Sequence, residues 1–508
     1  MDNPFDNEAS WPREAYTAAG CRALDAAAIA AGIPGTVLMA RAGRAAFREL
    51  MDAAPDLEQI AVVCGTGNNG GDGYVIAQLA HERGIAVTVF QVGDHSALTG
   101  EAAAAQAAAV DAGVAMVAFG SQPLPYEGVL VDALLGTGLN GRLRKEYRKA
   151  IRAINQCGLP VLAVDIPSGL CADSGQVMGD AVVADITVTF IGAKRGLLTG
   201  EAVDYVGELI LDDLDVPAAV FDAVSADAHC LNLDALLPLL SLREASAHKG
   251  DFGHVMIIGG DAGMPGAVLL AAVAAARCGA GLVSVATRPE HIGAVVSHCP
   301  SVMVHGVVSG QELEPLLDRA TVLVIGPGLG TGPWGEQLLQ KAAATGKPMV
   351  VDADALNILS QGRLLKDAHR DNWILTPHPG EAARLLQCDT ERVQRGRFGA
   401  VTALQQRLGG AVILKGAGSL VADGGGPVAI CPYGNPGMAT GGMGDVLSGV
   451  LGALLAQGLS VNAAARLGVC LHGAAADIAA ADGERGLLPV DVIAELRALV
   501  NGGDALDD

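Results

Sequence analysis

The sequence predicts two α/β domains in tandem, each a mostly parallel sheet with helices layered against it. Three observations carry the prediction. Short apolar runs of strand length repeatedly end in glycines and lead into helix-like stretches, as in QIAVVCGTGNNGGDGYVIA and VLVIGPGLG. Oxygen-bearing side chains fall at or near the ends of such runs, where open α/β sheets bind ligands. The 508 residues are 51% hydrophobic and 17% charged, so two large cores can be filled. Aromatics are only 3%, which leaves the packing to Ala, Val, Leu and Gly.

The same bulk properties exclude several function classes. A formal charge of -22 argues against nucleic acid or an anionic membrane surface as partner. Backbone amides can still hold a small anion locally. The ten cysteines include no CxxC pair, so they read as small buried hydrophobes rather than zinc ligands or a disulfide frame. The N-terminal MDNPFDNEASWPREAY is polar and acidic, unlike a secretory signal, and no apolar run of spanning length follows; a cytoplasmic protein is expected.

Taken in order, Ala18–Met51 has two helical stretches broken at Gly32, Pro34 and Gly35. Ile60–Cys64 is a buried strand, Gly65–Gly73 a glycine-rich loop, and a helix is expected from Tyr74. The loop carries Asn68, Asn69 and Asp72, which a dinucleotide fingerprint does not need; amide and carboxylate oxygens there suit a hard cation beside a phosphate site. An Asn/Gly turn is the plainer reading of either asparagine alone. Ala86–Gln91 is a strand and Gly100–Ala112 a helix. Val129–Leu135 is a strand bearing Asp132 that runs into GTGLNGR, and Pro160–Asp165 is a strand before IPSG. Asn69, Asp132, Asp165 and Ser168 thus converge at or near the carboxyl ends of strands. After the strand Val183–Phe190, Lys194 is either a solvated loop lysine or a phosphate contact. The character changes after Val216, placing a domain boundary near Val224–Asp234.

The second half restarts with a glycine turn and strand in Lys249–Gly260, followed by Gly263–Gly281, a small-residue helix expected to pack closely. Strands follow at Leu282–Thr287 and in Val322–Gly330. Others lie in Pro348–Asn357, which carries Asp352 and Asp354, and in Trp373–Glu381, which carries His378 and Glu381. Ala411–Leu420 is a strand and glycine loop with Lys415 and Ser419. The half closes on YGNPGMATGGMGDVLSG, Tyr433–Gly449, where five glycines precede Asp445 just before an apolar helical run. Glycines let amides approach an anion, and a helix N-terminus favours negative charge. A carboxylate beside such a hole suits a general base that deprotonates a hydroxyl attacking a bound phosphate. The plainer reading, a turn capped by Asp, needs fewer glycines.

These motifs in this order resemble one family. NNGGDG, GTGLNGR and DIPSG are similar to the NAD(P)HX epimerase domain. GPGLG, DADALN, TPHPGE, KGAGS and NPGMATGGMGD are similar to the ADP- or ATP-dependent NAD(P)HX dehydratase of the ribokinase-like superfamily. From about Ala18 to about Leu499 the chain resembles the bifunctional nicotinamide nucleotide repair enzymes of bacteria, with Cys21 where a Met is expected.

The resemblance implies a Rossmann-like three-layer α/β/α epimerase domain over 1–226 and a ribokinase-like three-layer α/β/α dehydratase domain over 227–508. The implied reactions are epimerisation of (R)- and (S)-NAD(P)HX and ADP-dependent dehydration of (S)-NAD(P)HX to NAD(P)H, releasing AMP and phosphate. It implies K+ on Asn69, Asp132 and Ser168. It places the hydrated dinucleotide along Asn68, Asn69, Gly70, Gly71 and Asp72 and along Gly136, Thr137, Gly138, Leu139, Asn140, Gly141 and Arg142, with catalytic Asp165 near the ring. In the dehydratase half it places the dinucleotide on Ala267, Gly328, Gly330, His378 and catalytic Asp445, and ADP with Mg2+ on Lys415, Gly416, Ala417, Gly418, Ser419 and Gly444. A homo-oligomer without nucleic-acid or membrane partner is expected. The competing reading is a ribokinase-like small-molecule kinase with a non-catalytic binding domain attached.

Overall fold

A computed structural model describes residues 12–139, 141–365 and 368–502. The chain divides into two compact units, Met1–Cys230 and Leu231–Asp508. The first contains strands β1 (Gln59–Cys64), β2 (Ala86–Gln91), β3 (Ala115–Ala118), β4 (Val129–Ala133), β5 (Val161–Val164), β6 (Ile186–Phe190) and β7 (Glu208–Asp212). They form a parallel sheet in the order β3-β2-β1-β4-β5-β6-β7. Its helices include α1 (Ala18–Ala30), α2 (Gly35–Ala53), α3 (Asn68–Glu82), α4 (Gly100–Asp111) and α5 (Lys145–Cys157).

Side-chain alternation along the strands explains the layering. Ile60, Val62 and Cys64 of β1 join a cluster with Leu24, Phe47 and Ile76 of α1, α2 and α3. Ala61 and Val63 join Tyr147, Ala150, Ile151 and Ile154 of α5 on the other face. Both faces are buried, so the strands read as unbroken apolar runs. Those four α5 residues recur at helical spacing, and Gly158 at φ 73° ends the helix in the left-handed region.

The first turn of α3 corrects the expected loop. The helix begins at Asn68, not Tyr74. A Cβ at Gly70 would lie 2.1 Å from the Gly65 carbonyl oxygen, and one at Gly73 would lie 2.5 Å from Ala133 Cβ. The glycines therefore let a helix sit directly on the strand ends. Strand β3 and helix α5 were not anticipated.

The second unit contains β8 (His254–Ile258), β9 (Leu282–Thr287), β10 (Met303–Gly306), β11 (Val322–Ile325), β12 (Met349–Val351), β13 (Trp373–Leu375), β14 (Ala411–Leu414), β15 (Ser419–Ala422) and β16 (Val428–Cys431). Within this unit they lie in the order β10-β9-β8-β11-β12-β13-β14-β15-β16, parallel as far as β14 and antiparallel beyond. Its helices include α6 (Pro265–Arg277), α7 (Ala353–Ser360), α8 (Pro379–Leu386), α9 (Arg397–Leu408), α10 (Met443–Ala456) and α11 (Val461–Ala479). Val255 and Ile257 pack with α6, α10 and α11, while Met256 and Ile258 on the opposite face are equally buried. Helices α6 and α10 meet at backbone distance, since a Cβ at Gly449 would stand 2.1 Å from the Ala271 carbonyl oxygen. Asp445 lies within the first turn of α10 rather than before it. Among the described residues no single helix is long and apolar enough to cross a membrane.

Strand order reverses between β1 and β4 in the first unit and between β8 and β11 in the second. Ligands bind at such reversals because the loops leave the carboxyl ends in opposite directions and open a crevice.

Candidate active site

In the first unit a cavity of about 710 Å³ opens at the β1/β4 reversal. It is lined by Asn68, Asn69, Asp72, Gly136, Thr137, Gly138, Leu139, Arg142 and Asp165, all anticipated from sequence. Gly70 packs against Gly65, and Gly71 faces Met39 and Ala102. Asn140 lies outside the described residues, and Gly141 adopts φ 78°.

Asp165 follows β5 with φ 70°, and Ile191 follows β6 with φ 59°. Left-handed backbone in such residues costs about 1–3 kcal/mol each and gathers at functional sites. Between them the Lys194 ammonium pairs with the Asp165 carboxylate and donates to Thr189 Oγ1 at 2.8 Å. Lys194 is only 2% exposed. Burial pushes its pKa down most, but Asp165, Cys21 and Asp25 together leave it raised. Asp72 is held well above the ordinary carboxylate range, by burial first and then by Asp165 and Asp25. The cavity therefore combines a charged pair with a carboxyl group that favours its neutral form.

Behind the cavity Asp132 and Ser168 are fully buried. Asp132 accepts from Ser168 Oγ at 2.7 Å, Ser168 N at 2.8 Å and Leu134 N at 3.2 Å. Ser168 Oγ in turn accepts from Leu135 N at 2.8 Å, which fixes the start of the glycine loop. Burial pushes Asp132 up to about 6 despite these donors. Both amide atoms of Asn69 are buried without a hydrogen-bond partner. An orphaned amide oxygen, a buried carboxylate and a hydroxyl are hard oxygen donors, so this set fits an alkali cation.

Sequence reasoning missed one wall. Cys21, Arg22, Asp25 and Ile29, spaced along α1, line the cavity. Their spacing reads as an ordinary amphipathic face, and no motif marks them.

In the second unit an ion pair lies beside the first turn of α10. Lys415, after β14, donates to Asp352, after β12, at 2.8 Å, and Ser448 of α10 donates to the other Asp352 oxygen at 2.9 Å. A Cβ at Gly444 would stand 3.1 Å from Lys415 Nζ and 3.3 Å from Asp352 Oδ2, so the first turn of α10 rests on this pair. Asp445 is pushed up to about 7 by burial and then by Asp352, against the pull of Lys415. Burial lowers Lys415 most, but the carboxylates of Asp352, Glu381 and Asp445 together leave its pKa raised.

The Lys415–Ser419 loop closes on itself through Ser419 Oγ, which donates to the Gly416 carbonyl at 2.9 Å. Gly416 and Gly418 have φ 138° and 57°. Buried Arg397 of α9 stands beneath the loop, 2.9 Å from where a Gly416 Cβ would be. Ala267, Gly328 and Gly330 meet at the β8/β11 reversal: a Gly328 Cβ would be 3.2 Å from Ala267 Cβ, and Gly330 N donates to Asp354 at 2.8 Å. His378 caps α8, its Nδ1 accepting from Gly380 N at 3.0 Å while its own amide donates to Glu381 at 2.8 Å. Burial and then Lys415 lower its pKa, so it faces the same charged pocket. Asp352 and Ser448 carried no assigned role in the sequence.

Two α/β units with glycine-built crevices at their strand-order reversals, one with a carboxyl group in a helix N-terminal turn, have the architecture of nucleotide-binding α/β enzymes. Family comparison is consistent with both halves. Residues 255–497 match the NAD(P)H-hydrate dehydratase model, and residues 35–196 match the model for the YjeF-related protein N-terminus. A bifunctional NAD(P)H-hydrate repair enzyme of Coxiella burnetii is 51% identical over 482 residues, covering 94% of this chain and 98% of the relative. One from Escherichia coli is 45% identical over 465 residues, covering 91% and 89%. Among solved structures, the ADP/ATP-dependent NAD(P)H-hydrate dehydratase of Bacillus subtilis, co-crystallized with ATP/Mg2+, is 26% identical over 53% of this chain and 97% of its own, with TM-score 0.48. The chain belongs to the family of bifunctional NAD(P)H-hydrate repair enzymes.

Proposed function

We propose that this chain repairs hydrated nicotinamide dinucleotides, interconverting (R)- and (S)-NAD(P)HX over 1–226 and dehydrating (S)-NAD(P)HX at the expense of ADP over 227–508. The observation that carries the reading is Asp445, a carboxyl raised to about 7 in the first turn of α10, beside the Lys415–Asp352 pair. In this reading Asp445 takes the proton of the C6 hydroxyl. The oxygen then bonds to the terminal phosphorus of ADP, the bond to the bridging oxygen breaks, and AMP leaves. Loss of a proton from the neighbouring ring carbon and of phosphate from C6 restores the double bond. Phosphate leaves far more readily than hydroxide, which is why a nucleotide is consumed. The chain's own contribution is positioning and charge: Gly441–Gly444 amides and Lys415 face the phosphates, while Ala267, Gly328, Gly330 and His378 hold the dinucleotide.

Mg2+ would be held on the ADP phosphate oxygens beside the Lys415–Asp352 pair, where it would neutralise phosphate charge. In the first unit Asn69, Asp132 and Ser168 would hold K+, which would supply a counter-charge to the buried Asp132 carboxylate. Asp165, paired with Lys194, is the group that moves the proton as the substrate ring opens and recloses on its other face.

The test is incubation with epimeric NADHX and either ADP or ATP, following the reduced nicotinamide absorbance. Full recovery with nucleotide consumed mole for mole is expected. Nucleotide consumption without NADHX, or no recovery, would overturn the reading.

A further inference from the structure

Asp354, Asn357 and Arg384 form one hydrogen-bonded chain beside the residues proposed to hold the dinucleotide in the second unit. Asp354, in the first turn of α7, accepts from Gly330 N at 2.8 Å. Its other oxygen accepts from Asn357 Nδ2 at 3.3 Å, one turn further along α7. Asn357 Oδ1 in turn accepts from Arg384 Nε of α8 at 2.9 Å. A carboxylate only accepts and a guanidinium only donates, so the Asn357 amide has a single orientation in this chain. The glycine turn after β11 is thereby tied to the helix that His378 caps.

Arg384 is exposed, and among the described residues its Nη1 and Nη2 have no hydrogen-bond or ion-pair partner. Nη1 stands beside the His378 ring. A Cβ on Gly380 would lie 2.9 Å from His378 Cε1 and 4.0 Å from Arg384 Nη1. Glu381, one turn earlier on α8, is turned inward at 5% exposure and accepts from the His378 amide. Two other cations near these loops are engaged: Lys415 pairs with Asp352 at 2.8 Å, and Arg288 with Asp261 at 2.7 Å.

A solvated arginine needs no such anchor. Holding a long side chain costs rotamer entropy, and a neutral acceptor at the surface returns little. Anchoring at Nε leaves the two Nη groups side by side, the fork that takes two oxygens of one phosphate. A hydrated dinucleotide carries a pyrophosphate, and its NADP form carries a 2′-phosphate as well.

We propose that Arg384 binds a phosphate of the hydrated dinucleotide in the dehydratase site, and that Asn357, itself held by Asp354, is the residue that positions it. The inference rests on the dehydratase reading. The parental chain is assayed first with (S)-NADHX and ADP; failure there counts against that reading itself.

With an active parent, Arg384→Met is expected to raise KM for the dinucleotide about tenfold or more, the worth of a charge-assisted hydrogen bond. Its kcat should stay near the parent's, because ground state and transition state lose the contact alike. KM for ADP, the epimerisation rate and the melting temperature without ligand should not move. Arg384→Lys keeps the charge without the fork and should recover only part of the loss. An equal rise with (S)-NADHX and (S)-NADPHX assigns the pyrophosphate as the ligand; a rise confined to (S)-NADPHX assigns the 2′-phosphate. Asn357→Ala should raise the same KM by a smaller factor in the parent and add little in the Arg384→Met background, since it acts through that side chain. Parental KM for both dinucleotides in Arg384→Met would overturn the proposal. So would a rise shared by ADP, or an Asn357→Ala effect undiminished in the Arg384→Met background.

Discussion

A general base works best when its pKa lies near the working pH, because it is then largely ionised and still basic. Asp445 meets this condition through burial and Asp352, with Lys415 restraining the rise. Dehydration should therefore rise with pH to a half-maximum near 7 in kcat/KM, with the epimerisation profile as an internal contrast. Asp445→Asn should cut dehydration by roughly 10²–10⁴-fold, measured on (S)-NADHX, while ADP still raises the melting temperature. The same shift makes a stability prediction. The folded state binds more protons than the unfolded state between the ordinary carboxylate pKa and about 7, so stability falls as pH rises through that window. Asp445→Asn should melt higher than the parent at pH 8, and the gap should close towards pH 4. In the first unit, Lys194→Met leaves Asp165 without its buried counter-ion and should cost about 3–5 kcal/mol in the unfolding transition of that unit. Asp445 was legible because five glycines precede it. Lys194 was not, because a lysine four residues beyond a strand looks the same whether solvated or 2% exposed. Asp352 showed its carboxylate, but nothing in sequence says that its partner lies 63 positions away.

At the scale of elements, glycine serves two purposes that a sequence does not separate. Some glycines let an amide face an anion; others let two backbones touch. Gly70 and Gly73 belong to the second kind as well as to a ligand motif, which is why the start of α3 was placed at Tyr74 rather than Asn68. The strands were legible because both sheet faces are buried and the apolar runs are continuous. Their order was not, since it depends on pairings between residues far apart. Gly449 has no ligand role and tests the packing purpose alone. Its missing Cβ would stand 2.1 Å from the Ala271 carbonyl oxygen, a backbone atom that cannot swing aside. Gly449→Ala should push α6 from α10 and cost about 1–3 kcal/mol or more. Dehydration should then fail at a lower temperature than in the parent, with epimerisation holding to the parental temperature.

At the scale of the whole molecule, each unit has its own core, and in the proposed reaction the two activities share one substrate. Water adds to the nicotinamide ring on either face, but a site that sets one hydroxyl against one base and one phosphate accepts a single epimer. A chain with only the second unit working would strand the other epimer. The kinetics of a variant disabled in the first unit should show this. Given epimeric NADHX and excess ADP, the parental chain should restore NADH to completion. Asp165→Ala should instead give a fast phase whose amplitude equals the S fraction. A slow phase should follow at the rate of uncatalysed epimerisation, unchanged when more enzyme is added. Adding an Asp445→Asn chain, which retains its own first unit, should return the slow phase to the parental rate if released substrate is shared between molecules. If Asp165→Ala alone converts the R fraction at the parental rate, Asp165 has no part in the chemistry, and the Lys194–Asp165 pair is a buried structural tie.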